Sequence, residues 1–224
     1  MDKPYFVIPI EENDEPLVDL GSYGFELGFN YYTSGFTTYK NALARKTVAD
    51  KLVNAKNNLS TGYNFKIYDP WRSVETQQNM VDGFARKIRI LHPEWNEDQV
   101  MTETYEFAAP VTGDPKRPPN HNTGGATDLT ILDENRTELD MGGEFDETTE
   151  RSFLSYYADK DDEVSRKIQA NRMMLQKVMT DEGFAINKNE WWHFDYGNQR
   201  WAYLTGKEKA FYGGVDALEL PKTE

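Results

Sequence analysis

Two segments far apart in this chain constrain its fold more than any other feature: His121-Asn122-Thr123-Gly124-Gly125-Ala126-Thr127-Asp128 and Glu190-Trp191-Trp192-His193. Two imidazoles and one carboxylate suffice to hold a catalytic zinc with a fourth position left for water, and a second carboxylate nearby can take that water's proton. If one metal uses both segments, the chain must bring together residues some sixty positions apart. The chain has three histidines, and the third, His92, stands before Pro93 in a polar connection and reads as an exposed loop residue. Either segment alone would pass for a surface loop or a core strand, because short motifs often match by chance. Their co-occurrence carries the reading.

The local pattern says how the ligands must be presented. Ala126 to Ile131 alternates small or polar with apolar residues, so Asp128 faces away from Leu129 and Ile131 on a strand. His121 lies an odd seven positions earlier and would face the other way in an uninterrupted strand; Gly124-Gly125 is expected to supply a turn or bulge. Glu190 is also an odd number of residues from His193, which places it in the turn before that strand.

Around these segments, apolar spacing predicts a helix from Thr38 to Asn58 with Leu43, Val48, Leu52 and Ala55 inward and Gly62 as a stop. Phe65 to Tyr68 reads as a strand closed by Asp69-Pro70. Ser73 caps a second helix with Val74, Val81, Phe84 and Ile88 inward, ending at His92-Pro93. A short acidic helix from Asn96 to Phe107 precedes a proline-rich loop from Pro110 to Asn120. After a polar loop from Asp140 to Arg151, Glu163 to Glu182 forms the clearest helix, with Val164, Ile168, Leu175 and Val178 as its stripe and Gly183 at its end. Phe184 to Ile186 and Trp191 to Tyr196 then read as a hairpin. The expected architecture is α+β, a single domain over residues 1–224 with a central, largely antiparallel sheet flanked by helices and the metal site at the sheet.

Composition narrows the partners. A net charge of −13 without a basic stretch argues against nucleic acid. No apolar run reaches the length of a membrane span, and the first residues lack a signal-peptide pattern. The expected location is cytoplasmic, or periplasmic or otherwise extracytoplasmic if a signal peptide has been removed. Without cysteine, only His and carboxylate side chains are available as metal ligands. Oligomeric state leaves no mark in the sequence.

His121-x-x-Gly124-x-Ala126-x-Asp128 followed by Glu190-x-Trp192-His193 resembles the signature of the zinc D-alanyl-D-alanine dipeptidases, the VanX-type enzymes of vancomycin-resistance clusters and their relatives. Asp69-Pro70-Trp71-Arg72 matches the family's Asp-x-x-Arg. Met141-Gly142-x-x-Phe145-Asp146 with Glu150-Arg151-Ser152 matches its central loop, and Asn171-Arg172 has a counterpart in its long helix. The resemblance implies one zinc ion per chain, with His121, Asp128 and His193 as ligands. It further implies Glu190 as general base and then acid, Arg72 as the cation facing the oxyanion, and Asp146 as the carboxylate holding the ammonium of a small dipeptide. Tyr23 corresponds to a substrate-contacting tyrosine, although the spacing from Tyr23 to Asn30 departs from the family pattern.

The implied reaction is hydrolysis of D-Ala-D-Ala or a related D,D-dipeptide by metal-activated water. Pro119-Asn120 stand where relatives commonly carry serine, which leaves substrate preference open. Two alternatives also remain: a peptidoglycan carboxypeptidase or endopeptidase of the same superfamily, which needs a cleft open to longer peptides, and a noncatalytic metal-binding domain. Taken singly, Arg72 reads as a surface residue stacked on Trp71, Asp146 as a loop cap, and Trp191-Trp192 as core or pocket wall.

Overall fold

A five-stranded mixed sheet forms the centre of the molecule in the computed structural model, which describes residues 3–216. In chain order the strands are β1 (Leu17–Asp19), β2 (Glu26–Leu27), β3 (Leu43–Arg45), β4 (Asn64–Asp69), β5 (Ala126–Leu132), β6 (Ala185–Ile186) and β7 (His193–Asp195). The helices are α1 (Asn30–Thr33), α2 (Lys46–Asn57), α3 (Val74–Leu91), α4 (Glu97–Phe107), α5 (Glu163–Asp181) and α6 (Gln199–Leu204). The main sheet runs β2-β4-β5-β7-β6; β2 is parallel to β4 and every other pairing is antiparallel. Strands β1 and β3 form a separate antiparallel pair. The α+β architecture with a largely antiparallel sheet is the one expected.

One face of the sheet is apolar. Phe65, Ile67, Leu129, Ile131 and Phe194 share a core with Val48, Ala49 and Leu52 of α2 and Leu175, Val178 and Met179 of α5. Each large side chain fully buried there stabilises the fold by roughly 1.5–3 kcal/mol relative to exposure. Period-two alternation then leaves Asp128, His193 and Asp195 on the opposite face.

Strand β4 would present Asp69 on the apolar face were it regular. It is not: Phe65 pairs with Ile131 and Ile67 with Leu129, but the register shifts before Asp69, which pairs with Asp128. Directly opposed residues share a face, so the irregularity turns Asp69 towards the polar side. Asp128 in turn pairs with His193. Asp69, Asp128 and His193 therefore form one row across β4, β5 and β7.

Several local expectations need correction. The helix predicted from Thr38 starts only at Lys46, because Leu43 to Arg45 pair with β1 as strand. Val74 and Val164 are 42% and 63% exposed, since both lie in first turns that overhang the core. The buried stripe of α3 runs instead through Gln77, Met80, Val81, Ala85 and Ile88. His92 is half-buried, its ring stacked 3.9 Å from that of Trp95. The caps follow the sequence: Ser73 accepts from the Thr76 amide at 3.0 Å, and Gly183 follows α5 with φ 85°.

Candidate metal centre

Among the described residues, one group could hold a metal ion: His121, Asp128 and His193, all buried, with ligand atoms within 4.8 Å of one another. His121 stands on a single 3-10 turn, His121–Thr123, that ends in the left-handed Gly124 (φ 68°) before β5 begins. A Cβ on Gly124 would lie 2.4 Å from Leu17 Cδ2, and one on Gly125 would lie 2.3 Å from the Tyr196 carbonyl oxygen. Both positions therefore require glycine. The turn cancels the odd spacing and brings His121 and Asp128 to one side of the sheet.

Each imidazole is oriented from behind. The Nδ1 of His121 lies 2.9 Å from the Pro70 carbonyl and 3.0 Å from Asp69 Oδ2, so its N–H donates there and Nε2 keeps its lone pair. That Nε2 is 3.2 Å from His193 Nδ1 and 3.5 Å from Asp128 Oδ2. His193 donates through Nε2 to Asp195 Oδ2 at 3.0 Å, leaving Nδ1 3.0 Å from Asp128 Oδ1. Asp195 also accepts from Asn198 at 2.7 Å and pairs with Arg200 at 2.5 Å. Fixing a histidine's tautomer through its outer nitrogen is the usual support for a metal ligand. The donor set and its backing fit a divalent ion.

Charge in this site is set by burial and close neighbours. Burial, with Arg72 and His193 nearby, pushes His121 well below the usual imidazole range, which keeps it neutral. Against the cost of burial, Asp195 and Asp128 raise His193 to about 10 in the metal-free protein. Burial raises Asp128 to about 8, although His193 pulls the other way. Asp195 is also desolvated, yet His193 and Arg200 hold it well below the usual carboxylate range.

Glu190 occupies the turn before β7, as expected. Its Oε2 accepts from Asn187 Nδ2 at 2.7 Å and lies 3.8 Å from His193 Nδ1, with the side chain 40% exposed and free to meet a substrate. Arg72 is buried rather than stacked on Trp71. Its guanidinium donates to Asp69 at 2.6 and 2.9 Å and to Gln77 at 2.7 Å, and it lies over the Tyr31 ring at 4.6 Å.

Asp146 has φ 62°, an uncommon backbone for a residue other than glycine. Its Oδ2 accepts from the Tyr31 hydroxyl at 2.8 Å. Burial raises its pKa to about 6, despite Tyr31 and Arg72. Its loop is held from behind by Arg172 of α5, which donates to the carbonyls of Met141, Phe153 and Arg151 at 2.7, 2.6 and 2.6 Å.

A cleft of about 320 Å³ joins these groups: Arg72, His121, Asp128, Asp146, Glu190 and His193 all line it, and so does Trp192. Tyr23 does not. It ends the 3-10 turn Leu20–Tyr23 and packs on the core, while Tyr31 stands in the cleft between Arg72 and Asp146. The departure of the Tyr23-to-Asn30 spacing from the family pattern is the sequence's sign that this segment runs differently. Sequence reasoning also passed over Asp195, although its place two residues after His193 puts both on one strand face. Nothing in the sequence marks Tyr5, Gln77 or Arg200, which reach the cleft only through tertiary contacts.

Two tautomer-locked imidazoles and a carboxylate in a cleft, with a free carboxylate and a buried guanidinium beside them, define a metallohydrolase site. A sequence profile of the D-ala-D-ala dipeptidase family matches residues 32–208. The chain belongs to that family of metallopeptidases. A D-alanyl-D-alanine dipeptidase of Synechocystis is 29% identical over 96% of this chain and 97% of its own length. The Escherichia coli enzyme of that name is 45% identical over a shorter stretch, 34% of this chain and 37% of its own, and that of Enterococcus faecium 25% identical over 66% and 69%.

Proposed function

We propose that this chain is a zinc-dependent dipeptidase that hydrolyses D-Ala-D-Ala or a close D,D-dipeptide. The observation that carries the reading is Asp146, a carboxylate joined through Tyr31 to Arg72 and lining the same cleft as His121, Asp128 and His193. Such a carboxylate selects a free substrate ammonium near the scissile bond, which a dipeptide has and a longer peptide lacks.

His121, Asp128 and His193 would hold the zinc, which would supply a water of pKa about 7 and a Lewis acid for the carbonyl. The rest of the chemistry belongs to the chain. Glu190 takes the proton of the attacking water and returns it to the leaving nitrogen. Arg72, held in place by Asp69 and Gln77, presents fixed positive charge to the oxygen on which negative charge grows. Asp146 anchors the ammonium, and Trp192 helps to wall the cleft from water.

The test is release of D-alanine from D-Ala-D-Ala by the zinc-loaded protein, beside N-acetyl-D-Ala-D-Ala and a pentapeptide ending in D-Ala-D-Ala. The free dipeptide is cleaved well and the blocked and longer peptides poorly, by about 30-fold or more, the cost of removing one partner of a buried charge pair. Equal kcat/KM on all three refutes the reading and favours a carboxypeptidase.

A further inference from the structure

The cleft has a second charged end that the groups above leave unused. Residues 3–10 form a strap that contributes Lys3, Tyr5 and Phe6 to its lining: the 3-10 turn Pro4–Val7 leads to Ile8 and Ile10, which pack on the cluster formed by Ala185, Trp201, Ala202 and Ala210. The strap is fastened by Gln199, which donates to the Ile8 carbonyl at 2.6 Å, and by the Ala210 amide, which donates to Pro9 at 2.9 Å. This docking sets Tyr5 into the cleft beside Arg200 of α6 and Glu190.

Arg200 is mostly enclosed, its side chain 18% exposed, yet it lines the cleft. Its one ion pair among the described residues joins Nη1 to Asp195. The Nε and Nη2 donors have no hydrogen-bond partner among the described residues, and the Tyr5 hydroxyl has none either. A guanidinium can bind carboxylates along two edges at once.

The orientation of a bound dipeptide follows from the proposed function, on which this inference rests. With the ammonium at Asp146 and the leaving nitrogen at Glu190, the leaving residue lies on the Glu190 side, away from Asp146. Its carboxylate is then presented to the wall that carries Arg200 and Tyr5. We infer that Arg200, steadied by Asp195, and Tyr5 of the N-terminal strap form the subsite for the α-carboxylate of the leaving residue. They make a free carboxyl terminus a requirement, as Asp146 makes a free amine one.

The experiment compares D-Ala-D-Ala with D-Ala-D-alaninamide on the full-length, zinc-loaded enzyme and on Arg200→Gln, Arg200→Lys and Tyr5→Phe, with metal content measured in each. The wild type prefers the carboxylate by about 100-fold, in keeping with a desolvated charge pair. Arg200→Gln loses that preference, mainly through KM on the carboxylate substrate, and falls far less on the amide. Arg200→Lys keeps a charge and retains part of the preference, and Tyr5→Phe reduces it several-fold.

Equal losses on both substrates in Arg200→Gln overturn the subsite and assign Arg200 to supporting Asp195 and His193. An unfolded or metal-depleted Arg200→Gln leaves the decision to the other two variants, and an unchanged preference in both overturns the subsite. Wild-type turnover that does not distinguish acid from amide overturns it while leaving the dipeptidase reading intact. Absence of turnover on D-Ala-D-Ala overturns both.

Discussion

Replacing Arg172 with methionine removes a buried cation that has no carboxylate within ion-pair distance among the described residues and is answered by three backbone carbonyls. Arg172 is 1% exposed, and its donors reach Met141, Phe153 and Arg151 at 2.6–2.7 Å, tying α5 to both ends of the loop that carries Asp146. Burial lowers its pKa only to about 10, so the charge persists at neutral pH. Hydrogen bonds to charged groups are worth about 1.5–3 kcal/mol each, and a carbonyl left unsatisfied costs about 1–3 kcal/mol. Desolvation of the guanidinium, which methionine avoids, offsets part of this.

The net loss for Arg172→Met is about 3–5 kcal/mol, at the upper end for a point substitution. For a chain of this size each kcal/mol moves Tm by roughly 2–4 °C, so Tm falls by about 6–20 °C. Calorimetry of the metal-loaded protein reads that shift, and kinetics on D-Ala-D-Ala reads the loop. KM rises more than kcat falls, because Asp146 loses its backing while His121, Asp128 and His193 lie on separate elements. Arg172→Lys, with a shorter reach and one nitrogen, falls between. A Tm within about 2 °C of the wild type with KM unchanged refutes the account, because so small a shift corresponds to about 1 kcal/mol or less.

Glu190→Gln keeps the metal and the fold but loses about 10²–10⁴-fold in kcat, the usual worth of a general base; near-native turnover in a fully loaded variant excludes that role. Because Asp146 has its pKa raised to about 6, its charged form dominates only above that pH, so kcat/KM for free D-Ala-D-Ala falls as pH drops through about 6. Asp146→Asn abolishes that limb of the profile, and a limb that persists there belongs to another group. Metal uptake releases protons, since the His193–Asp128 pair holds one well above neutrality. Each proton displaced raises affinity about tenfold per pH unit between pH 6 and 8; titration calorimetry in two buffers of different ionisation enthalpy counts the protons, and zero release refutes the assignment.

Much of the site was legible because its residues obey local rules. The alternation from Ala126 to Ile131 puts Asp128 on the polar face, Gly124-Gly125 announces the turn that aligns His121, and the parity of Glu190 and His193 places the glutamate in a turn. The α5 stripe and its terminal glycine are likewise readable from a 3.6-residue period and an empty Cβ. Leu43 shows the limit of such reasoning. Its spacing to Val48 suits a helix tolerably, and only the partner strand at Leu17–Asp19 decides that it is strand.

The sequence by itself determined which side chains are candidate metal donors and the faces on which they stand, because side-chain chemistry and backbone period are properties of a few neighbouring residues. Tertiary structure alone decided what surrounds them. The register shift that turns Asp69 under His121, the Asp195–Arg200 pair behind His193, the choice of Tyr31 over Tyr23, and the strap that brings Tyr5 to the cleft all depend on contacts between distant segments. Such contacts are selected by burial and by the pairing of polar groups that burial cuts off from water, and no local pattern encodes which partner, many residues away, will satisfy them.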